Sequence, residues 1–189
     1  MLEEGAQIDY LHENLSPDLD AHASFVGATE LIVGPGANLR FVNLQDWGHS
    51  VFEFSHQRAR VDANGQLDWV TGQMGGRLVK AFMEIDLDGA GSWGRMSGLY
   101  FPDDQQFMDL DTQQNHNAPH TTSDLLFKGV LKDQARSVWQ GMIKALPGAQ
   151  KTDGFQANRN MLLSQDARAD SIPGLEIQAD DVRCTHAAA

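Results

Sequence analysis

A thiol and an imidazole stand two residues apart near the end of this 189-residue chain, in the string DDVRCTHAA. In an extended strand, residues i and i+2 share a face, so Cys184 and His186 are predicted to lie side by side with Val182. A soft thiolate beside an imidazole suits iron, zinc or the edge of an iron–sulfur cluster. Two ligands do not fill a coordination sphere, so the others must come from elsewhere in the fold or from a partner chain. The structural alternative is a cysteine packed as a small hydrophobe beside a hydrogen-bonded histidine. A weaker pair, His116 and His120, sits in DTQQNHNAPHTTSD. Histidines four apart hold a metal well on a helix, but Pro119 prevents an uninterrupted helix through them. The alternatives are a hydrolytic metal site completed by Asp109 and Asp111, or a corner carrying two solvated histidines.

Other catalytic signatures are missing. There is no P-loop and no G-x-S-x-G, and GPGANL lacks the third glycine and following helix of a dinucleotide site. Asp103-Asp104 and Asp180-Asp181 fall at corners, where acids solvate turns. Trp47, Trp69, Trp93 and Trp139 read as strand residues that pack in a core or an interface.

Composition narrows the partners. Fourteen Lys and Arg against twenty-six Asp and Glu give a net charge of −12, which repels phosphate backbones and anionic lipid surfaces. Neither nucleic acid nor membrane is therefore expected as a partner. With 41% hydrophobic and 21% charged residues the chain reads as globular. A single cysteine, an acidic start without a signal-peptide pattern, and no long apolar run lead to a cytoplasmic expectation.

The elements that must position these residues are strands. Turn-prone clusters recur from Gly36 to Asp180 at a mean spacing of about 14 residues. Four runs, IVGPGANLRFV, RVDANGQLDWV, VLKDQARSVW and LLSQDARADSI, each place a small or acidic corner between two strand-like stretches. Over 78–87 the odd positions Val79, Ala81, Met83, Ile85 and Leu87 are all apolar, a period of two. Leu126 and Val130 alternate less cleanly with Phe127, Gly129 and Leu131. The segment 122–146 is the one most easily read as helix, since 131–146 has fair helical composition, but Gly129, Gly141 and the surrounding rhythm assign it to strands. The chain is predicted to be all-β, either a sandwich or barrel of hairpins or a solenoid with two strands and two corners per turn. Asn64-Gly65 is the sole Asn-Gly hairpin signal, which favours the solenoid. Residues 1–25, polar and mixed, read as an irregular opening segment that could cover one end. The last strand would then be left open to pair with another subunit.

The sequence from Gly148 to Ala189, GAQKTDGFQANRNMLLSQDARADSIPGLEIQADDVRCTHAAA, closely resembles the end of the core domain of the SufB/SufD family of iron–sulfur cluster assembly scaffolds. HNAPHTTSDLLFKGVLKDQARSVWQGMIKALPGAQKT, VGPGANLRFVNLQDW and LDWVTGQMGGRL match the same core, so the likeness covers nearly the whole chain. Within the family it looks like the SufD-type subunit. Where SufB-type chains carry a cysteine, this chain reads Ala167-Arg168-Ala169-Asp170-Ser171, and its DDV-x-C-x-H ending is the SufD form.

The resemblance implies a right-handed parallel β-helix with two long strands per turn, spanning residues 1–189 as a single core. It implies a scaffold rather than an enzyme, pairing through its C-terminal strands with a SufB-like subunit in a complex driven by a SufC-type ATPase. His186 matches the family's interfacial histidine proposed as a cluster ligand, and Cys184 its neighbouring cysteine; the cluster would be held transiently and in complex. Family members carry helical regions before and after this core, and the ATPase docks on the later ones. The 189 residues include neither region, so the chain reads as a core fragment that is not itself expected to dock the ATPase, and in isolation as a homodimer through its last strands. A metal-dependent hydrolase using His116 and His120, and a non-catalytic β-solenoid interaction module, are the competing functions.

Overall fold

A computed structural model describes all 189 residues, and none of them is helical. Thirteen strands follow one another: β1 (Gln7–Leu15), β2 (Ala23–Val33), β3 (Asn38–Asp46), β4 (Val51–Val61), β5 (Gln66–Gln73), β6 (Leu78–Leu87), β7 (Trp93–Tyr100), β8 (Phe107–His116), β9 (Thr122–Leu131), β10 (Arg136–Ala145), β11 (Thr152–Leu162), β12 (Arg168–Ile177) and β13 (Val182–Ala188). Odd-numbered strands form one seven-stranded sheet and even-numbered strands a six-stranded one, each in strict chain order. Every pairing is parallel, from β1 with β3 to β11 with β13. A strand thus pairs with the strand one full turn later, and the chain coils as the two-stranded parallel β-helix. Antiparallel hairpins, the sandwich alternative, do not occur. Asn64-Gly65 turns the chain between sheets instead of closing a hairpin.

Alternation decides which residues face the axis. Val79, Ala81, Met83, Ile85 and Leu87 are all buried, as their period of two requires. In β9 the inward residues are Leu125, Phe127 and Leu131, while Leu126 and Val130 lie on the outer face, half-buried. Like side chains stack turn upon turn: Phe41 lies in register with Trp69 and Trp69 with Met96. The Phe41 and Trp69 rings meet edge-on with centroids 5.6 Å apart. Trp139 folds over Gly141, where a Cβ would stand 2.3 Å from the indole Cη2. Trp69 and Trp139 are core residues, whereas Trp47 lies just beyond β3 and donates its Nε1 hydrogen to Glu53 at 2.9 Å.

One set of corners is built on a column of left-handed residues. Gly5, Gly36, Asn64, Gly91, His120 and Lys151 all have φ between 55° and 72°. The first five donate their amide hydrogens to the carbonyl just before the corresponding residue of the next turn, as Asn64 does to Ala90 at 3.0 Å and His120 to Gln150 at 2.8 Å. The corner conformation is therefore dictated by stacking, and glycine or asparagine fills it with least strain.

Residues 1–25 are more regular than their composition suggests. They include β1, which pairs along its whole length with β3. The inward residues of β1, such as Ile8 and Tyr10, are about half exposed, because no turn among these 189 residues lies above them. Burial therefore leaves no alternating signal there, and backbone pairing alone defines the strand.

Candidate functional site

The opposite end of the coil carries the thiol. On β13, Cys184 lies in register with Gly154 and His186 with Gln156, both of β11. Gly154 and Gln156 are buried against the axis, so Cys184 and His186 share the inward side, as i and i+2 spacing predicts. Cys184 is half-buried and His186 exposed. Across the same mouth, Leu175 and Ile177 of β12 align with the buried Ile143 and Ala145 of β10 but remain about 40% exposed. Within these residues β12 and β13 are the last strands of their sheets, and each presents one row of unpaired backbone groups.

Beneath the thiol the structure brings in a residue from the other candidate pair. A Cβ on Gly154 would stand 3.3 Å from His116 Nε2 and 3.4 Å from Cys184 Sγ. The imidazole of β8 and the thiol of β13 thus face one small space that exists because residue 154 has no side chain. His116 is wholly buried, and desolvation holds its pKa down to about 4, so the ring is neutral at neutral pH. Its Nδ1 lies 2.7 Å from Thr121 Oγ1 and its Nε2 2.9 Å from Ser123 Oγ. Thr121 has carbonyl and hydroxyl acceptors for its own proton, at Ala118 and Thr152. The hydrogen is accordingly assigned to Nδ1, leaving the Nε2 lone pair to accept from Ser123. Burial pushes the Cys184 thiol upward, opposed by the Gly154 amide, so the sulfur is a protonated, weakly nucleophilic thiol until a metal or cation displaces the proton.

The remaining candidates are not brought together. His120 is an exposed corner residue of the left-handed column. The expectation of two solvated histidines thus holds for His120 and fails for His116. Asp109 and Asp111 sit at odd positions of β8, on its outer face, where both accept from Lys80 Nζ at 2.7 and 2.6 Å. His116, at an even position, points the other way. A sheet separates the carboxylates from the imidazole, and no group of three or more His, Cys, Asp or Glu converges as a metal would require. The hydrolytic metal site is not assembled.

Behind the mouth lies a polar cluster that the sequence reading overlooked. Asn158 Nδ2 donates to Tyr100 Oη at 3.0 Å, Tyr100 donates to Asn160 Oδ1 at 2.5 Å, and Ser171 Oγ donates to Asn158 Oδ1 at 2.5 Å. Gln156, also wholly buried, donates to the Gly174 carbonyl at 2.8 Å and so ties β11 to β12. The available signal was polar residues at inward-facing parity in QANRN, which a period-of-two reading of β11 would have exposed.

Comparison with known proteins adds the family. The family model "SUF system FeS cluster assembly, SufBD core domain" matches residues 1–189. Iron–sulfur cluster assembly SufBD family proteins of Mycobacterium leprae and Mycobacterium tuberculosis are each 33% identical over 166 residues, covering 84% of this chain and 42% of theirs. A SufBD family protein of Staphylococcus saprophyticus is 26% identical over 189 residues, covering 98% of this chain and 40% of its own. The chain thus spans about two fifths of the length of these relatives. No helix here is long and apolar enough to cross a membrane. On its sequence over the full span, and on a coil that matches what that family implies, the chain belongs to the SufBD core-domain family of the SUF iron–sulfur cluster assembly system.

Proposed function

We propose that this chain is the core of a SufD-type scaffold subunit, acting in the cytoplasm and having no catalytic activity of its own. It pairs with a SufB-like subunit through the mouth formed by β12 and β13. The observation that carries the reading is the placement of Cys184 and His186 on the inward side of the last strand, at a rim with unpaired backbone and half-exposed Leu175 and Ile177. A rim of this kind suits an intermolecular junction, where apolar area and strand edges are covered together. At that junction a thiol and an imidazole are available to a nascent cluster, and a facing subunit supplies the remaining ligands and the sulfide environment. Assembly is driven by a SufC-type ATPase docking outside these 189 residues. Alone, the chain forms a homodimer through the same rim.

Anaerobic reconstitution with iron and sulfide, in complex with a SufB-type subunit, tests this. His186→Ala is expected to lower cluster content several-fold while leaving the complex intact. Unchanged cluster content in an intact complex removes the ligand role, and leaves a β-solenoid interaction module in which Cys184 and His186 only pack.

A further inference from the structure

Charges on the outer faces of this coil are matched between neighbouring turns. Arg58 meets Asp86 at 2.6 Å, Arg60 meets Asp88 at 2.8 Å, Lys80 meets Asp109 at 2.7 Å and Lys144 meets Glu176 at 3.2 Å. Nine of the fourteen Lys and Arg have a carboxylate within ion-pair distance. The five without one are Lys128 and Arg159, register partners on β9 and β11, and three arginines gathered at one corner, Arg77, Arg136 and Arg168. Arg136 opens β10 and Arg168 opens β12, and the two are register partners on adjacent strands. They stand about 4.8 Å apart along the coil axis, a juxtaposition of like charges that is unfavourable in itself. Neither forms an ion pair. Arg77, on the same side two turns earlier, donates to Gln105 at 3.0 Å and likewise has no carboxylate. The three arginines line one groove of about 700 Å³, together with Gln105, Gln134 and Gln165. Asp166 is the only acid on its wall and Phe107 the only apolar residue.

We propose that this groove binds a small molecule carrying two or more phosphate groups, diphosphate being the smallest such ligand. Guanidinium groups engage phosphate oxygens in a bidentate fork, and two on adjacent turns hold one phosphate between them. Arg77 lies too far along the axis to join that contact and is placed for a second phosphate, while the glutamine amides supply neutral donors between. The volume falls in the range of small-molecule sites. The excess of carboxylates elsewhere disfavours a nucleic-acid backbone. The repulsion between Arg136 and Arg168 is relieved when an anion sits between them.

Calorimetric titration of inorganic pyrophosphate into the 189-residue chain at low salt tests the site. Saturable binding is expected, about tenfold or more tighter than for orthophosphate and weakening as salt rises. The double substitution Arg136→Gln and Arg168→Gln is expected to weaken pyrophosphate about tenfold or more. In the absence of ligand its melting temperature should equal or exceed that of the parent, since a repulsion is removed. Lys128→Gln, which removes the same kind of charge from the other sheet, should leave the affinity within about twofold. Absence of saturable binding, equal affinity for the two anions, or an equal loss in Lys128→Gln would each overturn the proposal.

Discussion

His116 and Cys184, on opposite sheets and sixty-eight positions apart in the chain, face one another across the space left by Gly154. The alignment arises because Ser123, Gly154 and Cys184 occupy the same level of three successive turns. The imidazole bonds to the first, passes the second and looks at the third. Any side chain at 154 would come between them.

Gly154→Ala is expected to reveal that geometry directly. The added methyl would stand 3.3 to 3.4 Å from His116 Nε2, Ile143 Cγ2 and Cys184 Sγ, tight enough to press the sulfur toward the mouth. Stability should fall by about 1 kcal/mol, and the thiol should react faster with an alkylating reagent. An unchanged alkylation rate would show that the space is not shared.

The buried imidazole makes stability depend on pH. Burial in the fold lowers the His116 pKa from its ordinary value of 6.5 to about 4. Between those values the unfolded chain binds a proton that the folded chain refuses. The His116 contribution is therefore complete above about pH 6.5 and is lost as pH falls toward 4, amounting to something on the order of 3 kcal/mol. Denaturant melts across that range should show the loss. His116→Gln, although less stable at pH 7, should show a flatter profile.

His120 offers a test with the opposite sign. Its side chain is exposed and its backbone is left-handed at φ 58°, so glycine suits the position better. His120→Gly is expected to raise stability by about 0.5–1 kcal/mol and to leave metal content unchanged. A loss of bound metal would restore His120 as a ligand.

On the outer face, Lys80 is shared by Asp109 and Asp111, and these bonds raise its pKa despite partial burial. Lys80→Met removes the cation and leaves two carboxylates on the same strand face without a partner. A loss of about 1–2 kcal/mol is expected, larger at low salt than at high. Insensitivity to salt would mean that the lysine acts through its aliphatic stem alone.

Within Trp139 and Gly141 lies a packing test. A Cβ at 141 would come within 2.3 Å of the indole, so Gly141→Ala should destabilise by about 1–3 kcal/mol, measured as a shift in denaturation midpoint. A neutral outcome would show that the ring has another place to go.

The primary structure alone determined what depends on neighbours along the chain. Period-of-two alternation over 78–87 marked one inward face, corner residues such as Asn64 marked where strands end, and the i, i+2 spacing put Cys184 and His186 on one side of a strand. These are short-range effects of backbone geometry and turn chemistry. Composition could not reveal β1, whose faces are both largely exposed, nor the corner at which Arg136 and Arg168 stand unmatched. Tertiary structure decided which residues of different turns share a level. It separated His116 from Asp109 and Asp111 by strand parity, and from His120 by the corner. It brought His116 to Cys184 instead, because parallel stacking aligns residues about thirty positions apart, and no local rule of sequence specifies that register.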